Sequence, residues 1–124
     1  MLEAVLDTNF LMLAHQFKVN IFGELGELLG EYRAVTCEGV VDELNRRCSG
    51  KGKEATAAKY ALKLLKLGKV EIRSNEGKVD DWIVSYCAMN GSVACTVDRE
   101  LIGRLKREGV KVVILRGKSR LQFA

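Results

Sequence analysis

Short apolar runs rich in β-branched residues alternate along this chain with longer segments whose apolar residues recur at helical spacing. Five runs have the pattern of strands, at residues 3–7, 33–36, 70–72, 93–95 and 111–115. Helical periodicity predicts helices at residues 10–15, 21–30, 39–47, 53–67, 79–90 and 99–108. Strands joined through helices pair in parallel, and a parallel sheet needs helices on both of its faces. The sequence therefore predicts an α/β three-layer sandwich with a five-stranded parallel sheet flanked by helices.

Length and composition predict one globular domain over residues 1–124. Hydrophobic residues make up 48% and charged residues 29% of the chain, as is typical of globular domains. No apolar run approaches the roughly 20 residues that span a bilayer, so we expect a cytoplasmic protein without a membrane partner. The four cysteines include no Cys-x-x-Cys pair, which favours reduced, buried thiols over a zinc site.

Four carboxylates stand at the edges of apolar segments. Asp7 ends the first predicted strand, Asp98 follows the fourth, and Glu43 and Asp80 lie near the starts of two helices. In an open parallel sheet, ligands bind outside the carboxyl ends of the strands, where the strand order reverses. Two clustered acids repel each other by roughly 4 kcal/mol at about 4 Å and an effective dielectric near 20, so such a cluster needs counter-ions. Oxygen ligands of this kind suit Mg²⁺ or Mn²⁺.

Each of these acids also has an ordinary structural explanation. Asp7 and Asp98 each precede a predicted helix, and Asp is a favoured N-cap residue. Asp80 shares a helix face with the apolar residues three, four and seven positions further on, which predicts an inward carboxylate, whereas Asp81 lies nearer the rim. Glu43 lies at the edge of an apolar stripe, and periodicity alone leaves its orientation open.

Acidic and basic side chains are segregated along the chain. Residues 1–45 carry eight acidic and two basic side chains, whereas residues 46–73 carry two acidic and nine basic ones. A second basic segment covers residues 99–124. Basic segments beside an acidic cluster predict an anionic polymer held against a metal centre, although charge runs are also typical of solvated helix faces. The candidate contacts to a nucleic-acid backbone are Arg46, Arg47, Lys51, Lys53, Arg99, Arg116, Lys118 and Arg120.

Four short motifs, VLDTN, VVDEL, VDDWI and TVDREL, follow one another over nearly the whole chain. In this order they resemble the motifs of the PIN-domain nucleases. The resemblance implies a sheet of strand order 3-2-1-4-5 and a site for one or two Mg²⁺ or Mn²⁺ ions. The metal ligands and catalytic residues that it implies are Asp7, Glu43, Asp80 and Asp98. Thr8, Asn9 and Thr96 match the polar residues that support such a site. The position of Asp81 nearer the rim of its helix predicts a supporting role for Asp81 as well.

The functional prediction is a metal-dependent endoribonuclease that cleaves single-stranded or looped RNA. The C-terminal segment LRGKSRL resembles the ribosomal-RNA-processing branch of the family more than its toxin branch. The alternatives are a toxin-type ribonuclease of a toxin-antitoxin pair and an RNA-binding ribosome-assembly factor that no longer cleaves. The partners that these readings imply are RNA, a second copy of the chain in a homodimer, and either a protein inhibitor or ribosome-assembly proteins.

Overall fold

The predicted alternation of strands and helices is present in the structure, a computed structural model that describes residues 1–117 and 119–124. The elements of the described chain are β1 (Glu3–Leu6), α1 (Thr8–Gln16), α2 (Ile21–Leu29), β2 (Arg33–Cys37), α3 (Glu38–Cys48), α4 (Gly52–Leu67), β3 (Glu71–Arg73), α5 (Val79–Asn90), β4 (Val93–Cys95), α6 (Arg99–Arg107), β5 (Val112–Arg116) and β6 (Arg120–Phe123). Among these residues, no helix combines the length and the apolar character needed to cross a membrane.

The strands form one sheet of order β3-β2-β1-β4-β5-β6 in the described chain. Strands β1 to β5 are all parallel, because helices carry the chain back between them. The order reverses between β1 and β4, so the carboxyl ends of these central strands form the crevice where such sheets bind ligands. The α/β class is confirmed, and so is the order predicted for the first five strands.

The prediction of a wholly parallel, five-stranded sheet missed a sixth strand. β6 runs antiparallel to β5, with Arg120 opposite Arg116 and Leu121 opposite Leu115. The chain turns at Gly117, whose φ of 60° is a left-handed conformation that glycine adopts readily. Leu121 is buried whereas Arg120 is exposed, which is the alternation of a strand with one covered face. Arg116 and Arg120, predicted to lie in a tail after the last strand, therefore belong to a β-hairpin.

Apolar side chains on the two faces of the sheet form two separate clusters. In β1, Ala4 and Leu6 belong to the cluster beneath α1 to α4, and Val5 belongs to the cluster beneath α5 and α6. Leu44 of α3 and Leu101 of α6 are buried on these opposite sides. Full burial of a leucine side chain contributes roughly 1.5–3 kcal/mol to stability. The central strands are therefore fixed between two helical layers, and their carboxyl ends are held in place.

The cysteines are free thiols, as predicted. Cys37, Cys87 and Cys95 are buried, and Cys48 is half-buried. Burial raises the pKa of Cys87 to about 12, so this thiol stays protonated at neutral pH.

The starts of α3 and α5 pack closely at Gly39. The Gly39 N–H donates a hydrogen bond to Asn75 Oδ1 at 2.8 Å, and a Cβ atom on Gly39 would lie 2.6 Å from Val79 Cγ2. Valine is stiff at χ1 and moves aside poorly. Because α3 carries Glu43 and α5 carries Asp80, this contact helps to set the separation of two predicted site residues.

We predict that Gly39→Ala lowers the free energy of unfolding by about 1–3 kcal/mol, because the added methyl group overpacks the contact with Val79. Gly26→Ala is the matched control. Gly26 lies inside α2, and a Cβ there would meet nothing within 4 Å, so this change should stabilise the protein by roughly 0.5–1 kcal/mol. Urea denaturation of both variants measures the difference, and a Gly39→Ala protein as stable as wild type would contradict the close packing.

Candidate active site

Asp7 lies directly after the central strand β1, at the carboxyl edge of the sheet. Its N–H donates to the Cys95 carbonyl of β4 at 3.0 Å, which continues the pairing of the two strands. The residue is only 6% exposed. Its Oδ1 accepts a hydrogen bond from the Thr8 N–H at 2.9 Å, and its Oδ2 accepts one from the Thr96 hydroxyl at 2.8 Å. Asp7 therefore caps α1 and is also tied to the strand beside it.

Thr96 connects Asp7 with Asp98. Its fully buried hydroxyl donates to Asp7 and accepts from the Asp98 N–H at 3.2 Å. Asp98 caps α6, because its Oδ1 accepts hydrogen bonds from the N–H groups of Glu100 and Leu101 at 2.9 and 3.1 Å. Its other carboxylate oxygen accepts no hydrogen bond from the described residues. Both aspartates are thus helix N-caps and also follow the carboxyl ends of central strands.

The charge on Asp7 is unfavourable in the folded protein. Burial raises the pKa of its carboxyl, and the hydrogen bonds from Thr96 and Thr8 lower it only in part. The negative charges of Asp80 and Glu43 raise this pKa further. These two acids are therefore close enough to Asp7 to repel its charge.

Asp80 and Asp81 face different surroundings at the start of α5. Asp80 is half-buried and Asp81 is exposed, as the helical periodicity predicts. Burial raises the pKa of Asp80, the charge of Asp98 raises it further, and Arg104 lowers it. Arg104 of α6 forms an ion pair with Asp81, with Nη2 at 2.9 Å from Oδ1. Arg104 was not among the predicted site residues, since nothing in its local sequence distinguishes it from the other basic residues of α6.

Glu43 is held from two sides. The Thr8 hydroxyl donates to its Oε1 at 3.1 Å, and Arg47 Nη2 lies 2.7 Å from its Oε2. Arg47 Nη1 also donates to Asn9 Oδ1 at 3.2 Å and lies 3.5 Å from Glu54 Oε1. Thr8 thus contacts two of the acids, through its N–H and its hydroxyl. Arg47, which was predicted to contact a nucleic-acid backbone, is thus bound to residues of the acidic site.

The donor set fits a divalent cation by its chemistry. The four acids present carboxylate oxygens, which hard cations prefer, and Asp7 is a buried carboxylate that forms no ion pair with the described residues. Within residues 1–117 and 119–124, however, no three His, Cys, Asp or Glu side chains are gathered closely enough to hold one ion. The contacts of Glu43 with Arg47 and of Asp81 with Arg104 tie up part of the oxygen supply. The acids are thus brought to one edge of the sheet but are not arranged as a closed metal cage.

The other residues predicted to contact a nucleic-acid backbone form two exposed groups along the chain. The first group lies at the junction of α3 and α4 and consists of Arg46, Lys51 and Lys53. The second group follows β4 and β5 and consists of Arg99, Arg116 and Arg120. Lys118, which was also predicted to contact a nucleic-acid backbone, lies outside the described residues. Because β4 and β5 run parallel to β1, the second group lies at the same edge of the sheet as Asp7.

Comparison with known proteins assigns this arrangement to a family. A family model described as a PIN like domain matches residues 4–118. The chain belongs to the PIN-like domain family. Ribonuclease VapC9 of Archaeoglobus fulgidus is 34% identical over 119 residues, which are 95% of this chain and 86% of that relative. Ribonuclease VapC4 of Methanocaldococcus jannaschii is 30% identical over 124 residues, with 96% of this chain and 94% of the relative covered.

Solved structures share the fold of this PIN-like domain. The PIN domain endonuclease Utp24 is similar with a TM-score of 0.81 and 20% identity, over 98% of this chain and 90% of that one. A domain of a functionally unknown protein from Methanocaldococcus jannaschii is similar with a TM-score of 0.63 and 16% identity, over 94% of this chain and 93% of that one. At these identities, the likeness supports the fold and not a shared substrate.

We predict that Asp7→Asn stabilises the metal-free PIN-like domain at neutral pH. Because burial raises the folded-state pKa of Asp7 above the ordinary value of 3.8, stability falls as the pH rises from that value through the raised pKa. Asn removes the charge and keeps an oxygen for the Thr8 N–H. Thermal unfolding in EDTA at pH 7 should show a rise of several degrees, since about 1 kcal/mol corresponds to roughly 4 °C for a domain of this size.

The control for this prediction is Asp42→Asn, which removes an exposed charge from α3 and should leave the melting temperature unchanged. The advantage of Asp7→Asn should shrink as the pH falls and disappear well below 3.8, where Asp7 of the wild type is protonated in both the folded and the unfolded state. A variant less stable than wild type at pH 7 would contradict the unfavourable charge assigned to Asp7.

Proposed function

We propose that this chain is a divalent-metal-dependent endoribonuclease that acts as a single nuclease domain over residues 1–124. The observation that carries the proposal is the hydroxyl of Thr96, which joins Asp7 to Asp98 at the carboxyl ends of two adjacent strands. The charges of Asp80 and Glu43 act on the same carboxylate. Membership of the PIN-like family and two relatives named as ribonucleases support RNA as the substrate.

The ion in this proposal is Mg²⁺ or Mn²⁺, bound singly or as a pair. The residues that would hold it are Asp7, Glu43, Asp80 and Asp98, whose oxygen atoms suit these cations. When bound, such ions activate a water molecule for in-line attack on phosphorus and stabilise the leaving oxygen. Thr8 fixes the Glu43 carboxylate and Thr96 fixes the Asp7 carboxylate through hydrogen bonds, so the protein itself holds these two acids in place.

The exposed cations would hold the RNA chain. Arg46, Lys51 and Lys53 are exposed at the junction of α3 and α4, and Arg99, Arg116 and Arg120 are exposed after β4 and β5. Lysine and arginine contacts to phosphate position a nucleic acid without reading its sequence. A flexible single strand or loop can follow such a path into the crevice, which supports an unpaired substrate.

The second candidate is a toxin-type ribonuclease controlled by a protein antitoxin. The VapC names of both relatives, which cover nearly the whole chain, favour this over a role in ribosomal RNA processing. The ribosomal-RNA reading drew on a basic C-terminal tail, whereas Arg116 and Arg120 pair across a β-hairpin. Co-expression with a neighbouring small gene that relieves growth arrest would support the toxin type, and accumulation of unprocessed ribosomal RNA on deletion would support the other.

We predict that Asp7→Asn and Asp98→Asn each lower Mn²⁺-dependent cleavage of an unstructured RNA by at least about a hundredfold, since even residues that only support a ligand cost 10–100-fold when lost. Asn remains a good N-cap, so the capped helices should persist, and far-UV circular dichroism checks this. Asp42→Asn is the matched control and should cleave like wild type. Wild-type cleavage by either variant would refute the assignment.

The two acids of α5 should differ in their effect on metal binding. Asp80 is half-buried beside the other acids, whereas Asp81 is exposed and paired with Arg104. We expect Asp80→Asn to weaken Mn²⁺ binding by about tenfold or more and Asp81→Asn by less than about threefold, as measured by isothermal titration calorimetry. The reverse order would assign the ligand role to Asp81.

A further inference from the structure

Arg47 places a positive charge inside the acidic site. It lies one turn after Glu43 on α3, and its Nη2 is 2.7 Å from Glu43 Oε2. Its Nη1 donates to Asn9 Oδ1 at 3.2 Å, approaches Met12 Sδ at 3.4 Å and lies 3.5 Å from Glu54 Oε1. The guanidinium is therefore held by residues of α1, α3 and α4 together. A free surface arginine would not be fixed from three helices.

Glu43 has both of its carboxylate oxygens engaged in this arrangement. Oε1 accepts from the Thr8 hydroxyl at 3.1 Å, and Oε2 pairs with Arg47. Thr8 also binds Asp7 through its N–H, so Glu43 is fixed relative to the most buried acid of the site. The carboxylate is 28% exposed and the Arg47 side chain 30%, which leaves this ion pair within reach of an incoming ion.

We propose that Arg47 is a positioning residue that serves as the resident counter-ion of the acidic site and competes with a divalent cation for Glu43. The inference rests on the proposed metal-dependent function and names the side chain that a cation must displace. Charge balance supports it, because a cluster of like charges needs a compensating cation to fold. Geometry supports it as well, because a guanidinium and a metal ion cannot both occupy the same face of Oε2.

The second arginine of the site does not share this role. Arg104 pairs with Asp81, whose side chain is 59% exposed at the rim. Exposed ion pairs of this kind are weakened by solvent and exchange readily. Arg47 is distinguished by its contact with Asn9 and by its partner Glu43, which faces the buried Asp7 across Thr8.

The test compares Mn²⁺ binding by isothermal titration calorimetry, in the absence of RNA, for the wild-type protein and four variants of the full chain. Arg47→Ala and Arg47→Gln remove the charge and should tighten Mn²⁺ binding by about three- to tenfold, the range expected when one partly exposed ion pair no longer competes. Arg47→Lys keeps a charge at a similar reach and should bind Mn²⁺ within about twofold of wild type.

Lys63→Ala is the matched control. It removes a positive charge from α4, where the side chain is exposed and makes no ion pair with the described residues. Its Mn²⁺ affinity should equal that of wild type, which separates competition for Glu43 from a general change in net charge. All titrations are run below the melting temperature of the least stable variant. Arg47→Gln keeps an amide group that can form hydrogen bonds, so this variant still tests the proposal if Arg47→Ala unfolds.

The outcomes separate this inference from the proposed function. If Arg47→Ala and Arg47→Gln bind Mn²⁺ no more tightly than wild type while the wild type cleaves RNA, the counter-ion role is wrong and the ribonuclease stands. If both bind more tightly while the wild type cleaves no RNA, the ribonuclease is wrong and the counter-ion role stands. A purely structural role would lower the melting temperature of both variants with no gain in Mn²⁺ affinity, and failure of every protein to bind Mn²⁺ would overturn the competition outright.

Discussion

The parallel pairing of β1 with β4 is the constraint on which the acidic site depends. The Asp7 N–H extends this pairing to the Cys95 carbonyl, and the hydroxyl of the next residue, Thr96, reaches the Asp7 carboxylate. The same hydroxyl receives the N–H of Asp98 and so fixes the turn into α6. A shift of one residue in the register would turn Thr96 to the other face of the sheet. Asp7 would then lose its partner, and Asp98 would be aimed elsewhere.

The site gathers negative charge that the folded chain compensates unevenly. Arg47 neutralises Glu43 and Arg104 neutralises Asp81, whereas the buried Asp7 is supported by hydrogen bonds alone among the described residues. Burial with incomplete compensation is typical of functional sites, where perturbed carboxylates cluster. A bound cation would relieve the repulsion at Asp7, so the proposed metal binding would stabilise the folded protein.

The fold decides where the basic segments lie relative to the acids. As runs of sequence they are indistinguishable from solvated helix faces. The fold brings Arg47, near the end of α3, into contact with Asn9, and brings the start of the β5–β6 hairpin to the edge that carries Asp7. The basic C-terminal segment is not an extended tail after β5, because Arg120 pairs opposite Arg116 in the hairpin. A four-residue strand with one buried leucine carries too little pattern to be recognised before its partner strand is known.

Local sequence determined the first five strands, the six helices of the described chain, the two aspartate caps and the inward face of Asp80, because periodicity and capping act over a single turn or strand. Motif order also predicted which acids would meet at the sheet edge. Only the tertiary structure decided their partners: the hydroxyl of Thr8 reaches Glu43 across 35 positions, and Arg47 reaches Asn9 across 38. Periodicity specifies which face of a helix is buried but not how two helices are placed against each other. A long arginine side chain can reach several acids. The acid with which it pairs therefore depends on tertiary packing, which no local sequence pattern contains.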